Sequence, residues 1–230
     1  MGGGWHDRGM DPLIVPPAAR IVLATHNAKK VGELRAILAA AGLDLSDGGL
    51  VTSGETGAPE PVEDGVTFAE NALIKARAVC AATGLPAVAD DSGLAVDVLG
   101  GAPGIFSARW AGKHGDDLAN LELLLGQLGD VRPEHRQAGF VCAAALVTPD
   151  GREEVRTGEM RGVLETAPRG TNGFGYDPIL VPDEAAPGDV GDGGRRRTAA
   201  ELDPEEKNAI SHRGKAFRAL APVILEELAA

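Results

Sequence analysis

The chain has 230 residues, 43% of them hydrophobic, which suits one globular domain of medium size whose core needs no disulfides. Its formal net charge of −12 argues against partners such as DNA or RNA, because a strongly acidic protein repels their phosphates. The two cysteines, Cys80 and Cys142, lie in apolar runs and are typical of core residues in a reducing compartment. Nothing in the sequence resembles a secretion signal or a membrane span, so we expect a cytoplasmic protein without a membrane partner.

Two stretches differ in composition from the rest of the chain. Residues 1–19 are rich in glycine and proline, and we expect a flexible extension ahead of a single domain over residues 20–230. Residues 183–197 are mostly Pro, Gly, Asp and Arg without periodicity, which predicts a mobile surface loop inside that domain.

Hydrophobic periodicity predicts strands and helices that alternate over most of the domain. In chain order these are a strand at 20–25, helices at 28–41 and 66–83, strands at 85–89 and 94–99, a helix at 117–128, a hairpin of strands at 140–148 and 153–159, and a last helix at 213–228. Thr198 and Glu201 have the spacing of a capping box, and the segment from Asp203 to Glu206 is typical of a further helix start. The alternation followed by a hairpin predicts an α/β fold with a mixed sheet.

Adjacent carboxylates, Asp90 and Asp91, end the apolar run at 85–89, and Gly93 then allows the backbone to turn sharply. Neighbouring side chains of a strand point to opposite faces, so a central strand would bury at least one of these carboxylates. A buried carboxylate without a partner is destabilising, and the pair therefore predicts a metal ion or a strongly polar partner. An ordinary surface turn is the alternative.

The segment Thr25-His26-Asn27-Ala28-Lys29-Lys30 joins the first predicted strand to the first predicted helix. A helix start presents free backbone amides and the positive end of its dipole, to which Thr25, Asn27 and Lys30 add polar side chains. Such a site suits a phosphate group, and an ordinary N-cap at Asn27 is the alternative. The sequence has neither a Walker A loop nor a Gly-x-Gly-x-x-Gly motif, so the common nucleotide-binding folds are not indicated.

An acidic residue, Glu63, precedes the second helix, whose less apolar face carries Asn71 and Lys75 at positions i and i+4. Together with Asp90 and Asp91, Glu63 supplies hard oxygen ligands that suit Mg²⁺. A solvated acidic turn around Glu63 is the alternative.

Two segments towards the end of the chain combine polar and aromatic groups. Glycines flank Phe174 within residues 171–178 and let a planar ligand approach the ring, as base stacking requires. A basic cluster at 211–215 contains His212 and Arg213, which can donate to a carbonyl oxygen or a phosphate. A glycine-rich turn with a core phenylalanine, and ordinary surface charges, are the alternatives.

These segments, in this order, resemble the inosine triphosphate pyrophosphatase family over about residues 20–228. The matching motifs are Thr25-x-Asn27-x-x-Lys30, Thr67-Phe68-x-Glu70-Asn71-Ala72-x-x-Lys75-Ala76, Asp90-Asp91-Ser92-Gly93-Leu94, Gly104-Ile105-x-Ser107-Ala108-Arg109, Gly173-Phe174-Gly175-Tyr176-Asp177-Pro178, Thr198-Ala199-Ala200-Glu201-Leu202 and Ser211-His212-Arg213-Gly214. Family members hydrolyse non-standard purine nucleoside triphosphates to the monophosphate and pyrophosphate. The resemblance implies an elongated mixed β-sheet with flanking helices, two lobes around an active-site cleft, and a homodimer.

The resemblance also implies roles for the matched residues. Mg²⁺ would be bound by Glu63 and Asp91, and Asp91 would accept the proton of the attacking water. Arg197 stands where the family commonly has lysine, and we expect it to keep a phosphate contact. The other matched residues would contact the substrate. The triphosphate would be bound by Thr25, His26, Asn27, Ala28, Lys29 and Lys30, and the nucleotide would be contacted by Ser92. The base pocket would be formed by Phe174, Gly175, Tyr176 and Asp177, and the base edge would be recognised by His212 and Arg213.

Selectivity among purines follows from hydrogen-bond donors. Hypoxanthine and xanthine carry an acceptor oxygen where adenine carries an amino donor. Donors from His212 and Arg213 would therefore favour ITP, dITP and XTP over ATP, because a buried donor left unpaired costs ~1–3 kcal/mol. Two other functions stay open: a related pyrophosphatase acting on modified pyrimidine nucleotides, and a sensor that binds a nucleotide without turnover.

Overall fold

The computed structural model describes residues 13–25, 28–43, 45, 47–184, 191 and 194–229. Residues 1–12 of the predicted extension, and 185–190 and 192–193 of the predicted mobile loop, lie outside the described residues, so both stay predictions. In the part of the chain that is described, no helix is both long and apolar enough to cross a membrane.

A mixed sheet forms the centre of the fold, as the sequence predicts. Its six strands lie in the order β2-β1-β3-β4-β5-β6, with β2, β1 and β3 parallel and the remaining neighbours antiparallel. The elements are β1 (Ile21–Leu23), α1 (Ala28–Ala40), β2 (Leu50–Thr52), α2 (Ser53–Thr56), α3 (Phe68–Thr83), β3 (Ala87–Val96), α4 (Asp117–Gln127), β4 (Gln137–Val147), β5 (Glu153–Leu164), β6 (Leu180–Pro182), α5 (Pro204–Ile210) and α6 (His212–Ala229).

The third strand differs from its prediction. The two separate strands and the sharp turn expected at Gly93 are wrong, because β3 is continuous and pairs with β4 from Ala87 to Val96. Instead of forming a turn, Gly93 allows Gly104 and Ser107 to lie close to β3. A Cβ there would lie 2.4 Å from the carbonyl oxygen of Gly104 and 2.5 Å from Oγ of Ser107. The paired carboxylates therefore lie within a central strand.

Alternation along β3 separates two hydrophobic cores. Val88 packs with α1 and α6 on one face of the sheet, and Ala87 and Ala89 pack with α3 on the other face. A third core lies at the other end of the long strands, where β3, β4 and β5 pack against α4. By the same alternation, Asp91 faces α3 and Asp90 faces α6.

The segment before the last helix is only partly as predicted. Residues 199–202 form a turn, so the helix start expected from Thr198 and Glu201 is wrong, although the Glu201 carboxylate accepts the backbone N–H of Thr198 at 2.8 Å. The Thr198 hydroxyl donates to the carbonyl of Arg169 at 2.9 Å. The start predicted from Asp203 is confirmed, because Asp203 and Glu206 form a capping box at α5.

Candidate functional site

Two carboxylates that are distant in sequence meet at one lysine. Nζ of Lys75 lies 3.2 Å from Oε1 of Glu63 and 3.5 Å from Oδ1 of Asp91. Lys75 is placed there by α3, whose start is fixed by its N-cap Thr67, and the spacing i, i+4 puts Asn71 on the same face. The structure thus brings Glu63 and Asp91 together.

Asn71 connects the loop of Glu63 to the strand of Asp91. Its side chain is buried, donates from Nδ2 to Oδ2 of Asp91 at 3.2 Å, and accepts from the backbone N–H of Gly65 at 2.9 Å. A Cβ at Gly65 would lie 2.6 Å from Oδ1 of Asn71, so this position requires glycine. The relative placement of Glu63 and Asp91 therefore depends on one buried amide.

The Asp91 carboxyl has an unusual environment for an acid. Burial raises the pKa of Asp91 above its ordinary value, the Lys75 ammonium and the Asn71 hydrogen bond oppose the rise, and the charges of Glu63 and Asp90 add to it. A carboxylate with a raised pKa is a better proton acceptor than an ordinary aspartate.

The residues present fit a Mg²⁺ ion. Mg²⁺ in proteins usually keeps several waters and binds through one or two carboxylates together with substrate phosphates. Glu63 and Asp91 provide those two carboxylates, and both already lie beside the cation of Lys75. Within the described ranges, no cluster of three or more His, Cys, Asp or Glu side chains could hold a metal by protein ligands alone.

The predicted phosphate-binding segment begins where β1 ends, beside the two aspartates of β3. Parallel pairing of Leu23 with Val88 brings the end of β1 beside the part of β3 that carries Asp90 and Asp91. Thr25, the second residue after β1, is buried. Ala28, Lys29 and Lys30 begin α1, but their side chains, like His26 and Asn27, lie outside what the structure describes, so their roles stay predictions.

A cavity of about 180 Å³ reaches the part of β3 that directly follows Asp91. Ser92 and Gly93, which follow Asp91 on β3, line one side of it. The other predicted residues that line it are Phe174, Gly175, Tyr176, Asp177, His212 and Arg213. Sequence segments from the middle and the end of the chain therefore share the walls of one cavity.

The turn that carries Phe174 is closed by hydrogen bonds. Oδ2 of Asp177 accepts the backbone N–H of Phe174 at 2.8 Å, and the hydroxyl of Tyr176 donates to the carbonyl of Ser107 at 2.9 Å. Burial raises the pKa of the Tyr176 phenol, with Asp117 adding to the rise, so the hydroxyl stays a donor. Phe174 is 67% exposed, which leaves an aromatic surface for a planar ligand.

The start of α6 brings two donors to the cavity. The His212 imidazole stacks on Phe140, with ring centroids 5.1 Å apart and planes 18° apart. The Arg213 guanidinium binds the buried carboxylate of Asp90. The imidazole and the guanidinium are therefore each held in a defined plane by a neighbouring side chain.

Two cations that precede α6 in the chain have different surroundings. Arg197 forms a two-point ion pair with Glu206, at 2.8 and 3.0 Å, and is not among the described residues that line the cavity. Its phosphate contact stays a prediction. Lys207, which no sequence motif singled out, lines the cavity, pairs with Asp177 and lies 5.4 Å from the centre of the Phe174 ring. In the sequence, a single lysine after two glutamates on a short helix does not indicate that its side chain lines a cavity.

Comparison with known proteins extends this picture. A sequence model described as the Ham1 family matches residues 21–223. The dITP/XTP pyrophosphatase of Streptomyces avermitilis is 62% identical over 209 residues, which cover 91% of this chain and 98% of that protein.

Two solved structures are similar in fold and sequence. A HAM1 protein from Coxiella burnetii has a TM-score of 0.78 at 40% identity, covering 90% of this chain and 99% of that chain. A nucleoside-triphosphatase / dITP/XTP pyrophosphatase from Mycobacterium abscessus has a TM-score of 0.70 at 50% identity, covering 89% and 99%. These matches confirm the family resemblance and the α/β fold class that the sequence predicts.

Proposed function

The chain belongs to the Ham1 family, and on that premise we propose that it hydrolyses the non-standard purine nucleoside triphosphates ITP, dITP and XTP to the monophosphate and pyrophosphate. The observation that carries the proposal is the meeting of Glu63 and Asp91 at Lys75, next to a cavity walled by Phe174 and Arg213. Relatives named dITP/XTP pyrophosphatase support the same substrate class.

Glu63 and Asp91 are the residues we propose to hold Mg²⁺. When bound, the ion neutralises phosphate charge that this acidic protein otherwise repels, and it lowers the pKa of a coordinated water. Phosphoryl transfer depends on positioning and charge neutralisation more than on covalent help from the protein. The described residues supply the positioning through Asn71, which orients Asp91 and holds the loop of Glu63.

We propose that Asp91 accepts the proton of the attacking water. It is a partly buried carboxylate at the proposed Mg²⁺ site, and its neighbour Lys75 stabilises the carboxylate before the proton arrives. The bond that breaks lies between the α and β phosphates, which releases pyrophosphate as one product.

We propose that the cavity binds the purine. Phe174 offers an exposed ring for stacking, and Lys207 and Asp177 fix the turn around it. His212 and Arg213 provide donors that match the 6-oxo group of hypoxanthine and xanthine, whereas the amino group of adenine would leave them unpaired.

Steady-state kinetics with ITP, dITP, XTP and ATP tests this function. We expect pyrophosphate release from the first three substrates with Mg²⁺ present, and at least about 10²-fold lower kcat/KM for ATP. Faster turnover of modified pyrimidine nucleotides would support the related pyrophosphatase instead. Tight ITP binding by calorimetry without any pyrophosphate release would support the sensor.

Two further proposals stand beside the enzymatic one, the first drawn from the resemblance and the second from the composition of the sequence. We propose a homodimer, which light scattering coupled to gel filtration tests. We also propose a cytoplasmic location, which cell fractionation with an antibody against the chain tests.

A further inference from the structure

An ion pair lies between the middle strand of the sheet and the start of the last helix. Oδ2 of Asp90 accepts from Nε of Arg213 at 3.1 Å and from Nη2 at 2.9 Å, although the residues are 123 positions apart. Asp90 is only 2% exposed, and Arg213 lines the cavity. The carboxylate is therefore behind the cavity wall, and the guanidinium is part of that wall.

Stability alone does not explain this pair. Removing a carboxylate and a guanidinium from water is unfavourable, and a well-packed apolar pair of similar volume is often at least as stabilising. The pair does fix an orientation, because two donors of one guanidinium share one buried oxygen, which restricts rotation of its plane. The pair therefore holds Arg213 in one direction at the cavity.

Strand β3 carries residues of both the acidic site and the cavity region. Asp90 and Asp91 are consecutive, so they point to opposite faces of β3. Asp91 contacts Asn71 and Lys75 of α3 on one face, and Asp90 contacts Arg213 of α6 on the other. One rigid strand thus places the proposed reacting carboxylate and the cavity guanidinium relative to each other.

We propose that Asp90 is a positioning residue for base selectivity: it orients Arg213 so that the guanidinium donates to the 6-oxo group of the purine. This inference rests on the proposed function. On this proposal the buried Asp90 acts through Arg213 and not by its own contact with the substrate.

A double-mutant cycle tests the inference. The variants are Asp90→Asn, Arg213→Gln and the double variant, and the readout is the ratio of kcat/KM for ITP to that for ATP, with kcat and KM measured separately. We expect Asp90→Asn to lower this ratio at least about tenfold, mainly through a higher KM for ITP. In the Arg213→Gln background, Asp90→Asn should lower it no further. Asp97→Asn is the control for loss of an ion pair elsewhere, because Asp97 forms a more exposed two-point pair with Arg161, at 2.6 and 3.0 Å, and neither residue lines the cavity.

Three results would overturn the inference. The first is an Asp90→Asn enzyme whose ratio stays within twofold of the wild type, and the second is a loss of equal size in the Arg213→Gln background. If Asp90→Asn does not fold, Asp90→Glu replaces it, because this variant keeps the charge but displaces the guanidinium by one methylene. The third result is an Asp90→Glu enzyme with unchanged selectivity. Equal turnover of ITP and ATP by the wild type would instead reject the proposed function, and this inference with it.

Discussion

Gly158 of β5 lies directly under the start of α6, and we predict that Gly158→Ala disables the site from a distance. A Cβ at this position would lie 2.2 Å from the carbonyl oxygen of His212 and 2.6 Å from the backbone nitrogen of Ala216. Ordinary contact begins at 3.4 Å, so the helix start must move outwards by about 1.2 Å, the difference between 3.4 and 2.2 Å. That movement carries His212 and Arg213 with it.

A displacement of about 1 Å in a positioning group can reduce the rate about 10²-fold, so we expect kcat/KM for ITP to fall by that factor. Overpacking should also lower the free energy of unfolding by about 1–3 kcal/mol. The assay is steady-state pyrophosphate release, on protein that a melting curve shows to be folded at the assay temperature.

Gly126→Ala is the matched control for this substitution. Gly126 lies inside α4, and a Cβ added there would have nothing within 4 Å, so alanine should keep full activity and stabilise the helix slightly. A folded Gly158→Ala enzyme with wild-type kcat/KM would refute the reasoning, because the close approach would then have no effect on Arg213 or His212.

The remaining predictions concern buried charge. Asp91→Asn should lower kcat about 10²- to 10⁴-fold by removing the proton acceptor. Because burial raises the pKa of Asp91 in the folded protein, the stability it contributes is present at low pH and is lost as the pH rises through that pKa. In metal-free buffer, the Tm of Asp91→Asn relative to that of the wild type should therefore increase as the pH is raised from 4 to 7. A relative Tm that decreases over this pH range would contradict the prediction. Arg136→Met should lower the free energy of unfolding in urea by at least about 2 kcal/mol, since the buried guanidinium donates to the carbonyls of Leu128, Leu164 and Glu165 at 2.8–3.0 Å. An unchanged urea midpoint would show that those carbonyls find other donors.

The sequence was sufficient for a mixed sheet and for β1, β4 and β5, because periodicity and turn residues are local properties, but it did not predict β2 or β6. It was insufficient at β3, where the Asp-Asp-Ser-Gly segment has the composition of a turn. Ten successive pairs with β4 keep that segment extended, and this pairing is a long-range interaction that no local pattern contains. Gly93 illustrates the ambiguity, since the same residue type serves both turns and close approaches.

The candidate site shows a similar division. Asp91, Phe174 and Arg213 lie in motifs that are recognised as an ordered set, and Glu63 shortly precedes one of these motifs. The sequence does not reveal that Arg213 binds Asp90, or that Lys207 rather than Arg197 faces the cavity, because both depend on how α5 and α6 pack on the sheet. Contacts between side chains that are distant in sequence could therefore be found only in the structure.

The central claim is that Glu63 and Asp91 together hold a divalent cation beside the cavity. The most direct test is the Mg²⁺ concentration that gives half-maximal ITP hydrolysis, compared between the wild type and Glu63→Gln, with the exposed loop residue Glu60→Gln as control. We predict that Glu63→Gln raises this concentration at least about tenfold and that Glu60→Gln leaves it unchanged. An unchanged Mg²⁺ requirement in Glu63→Gln would contradict the account.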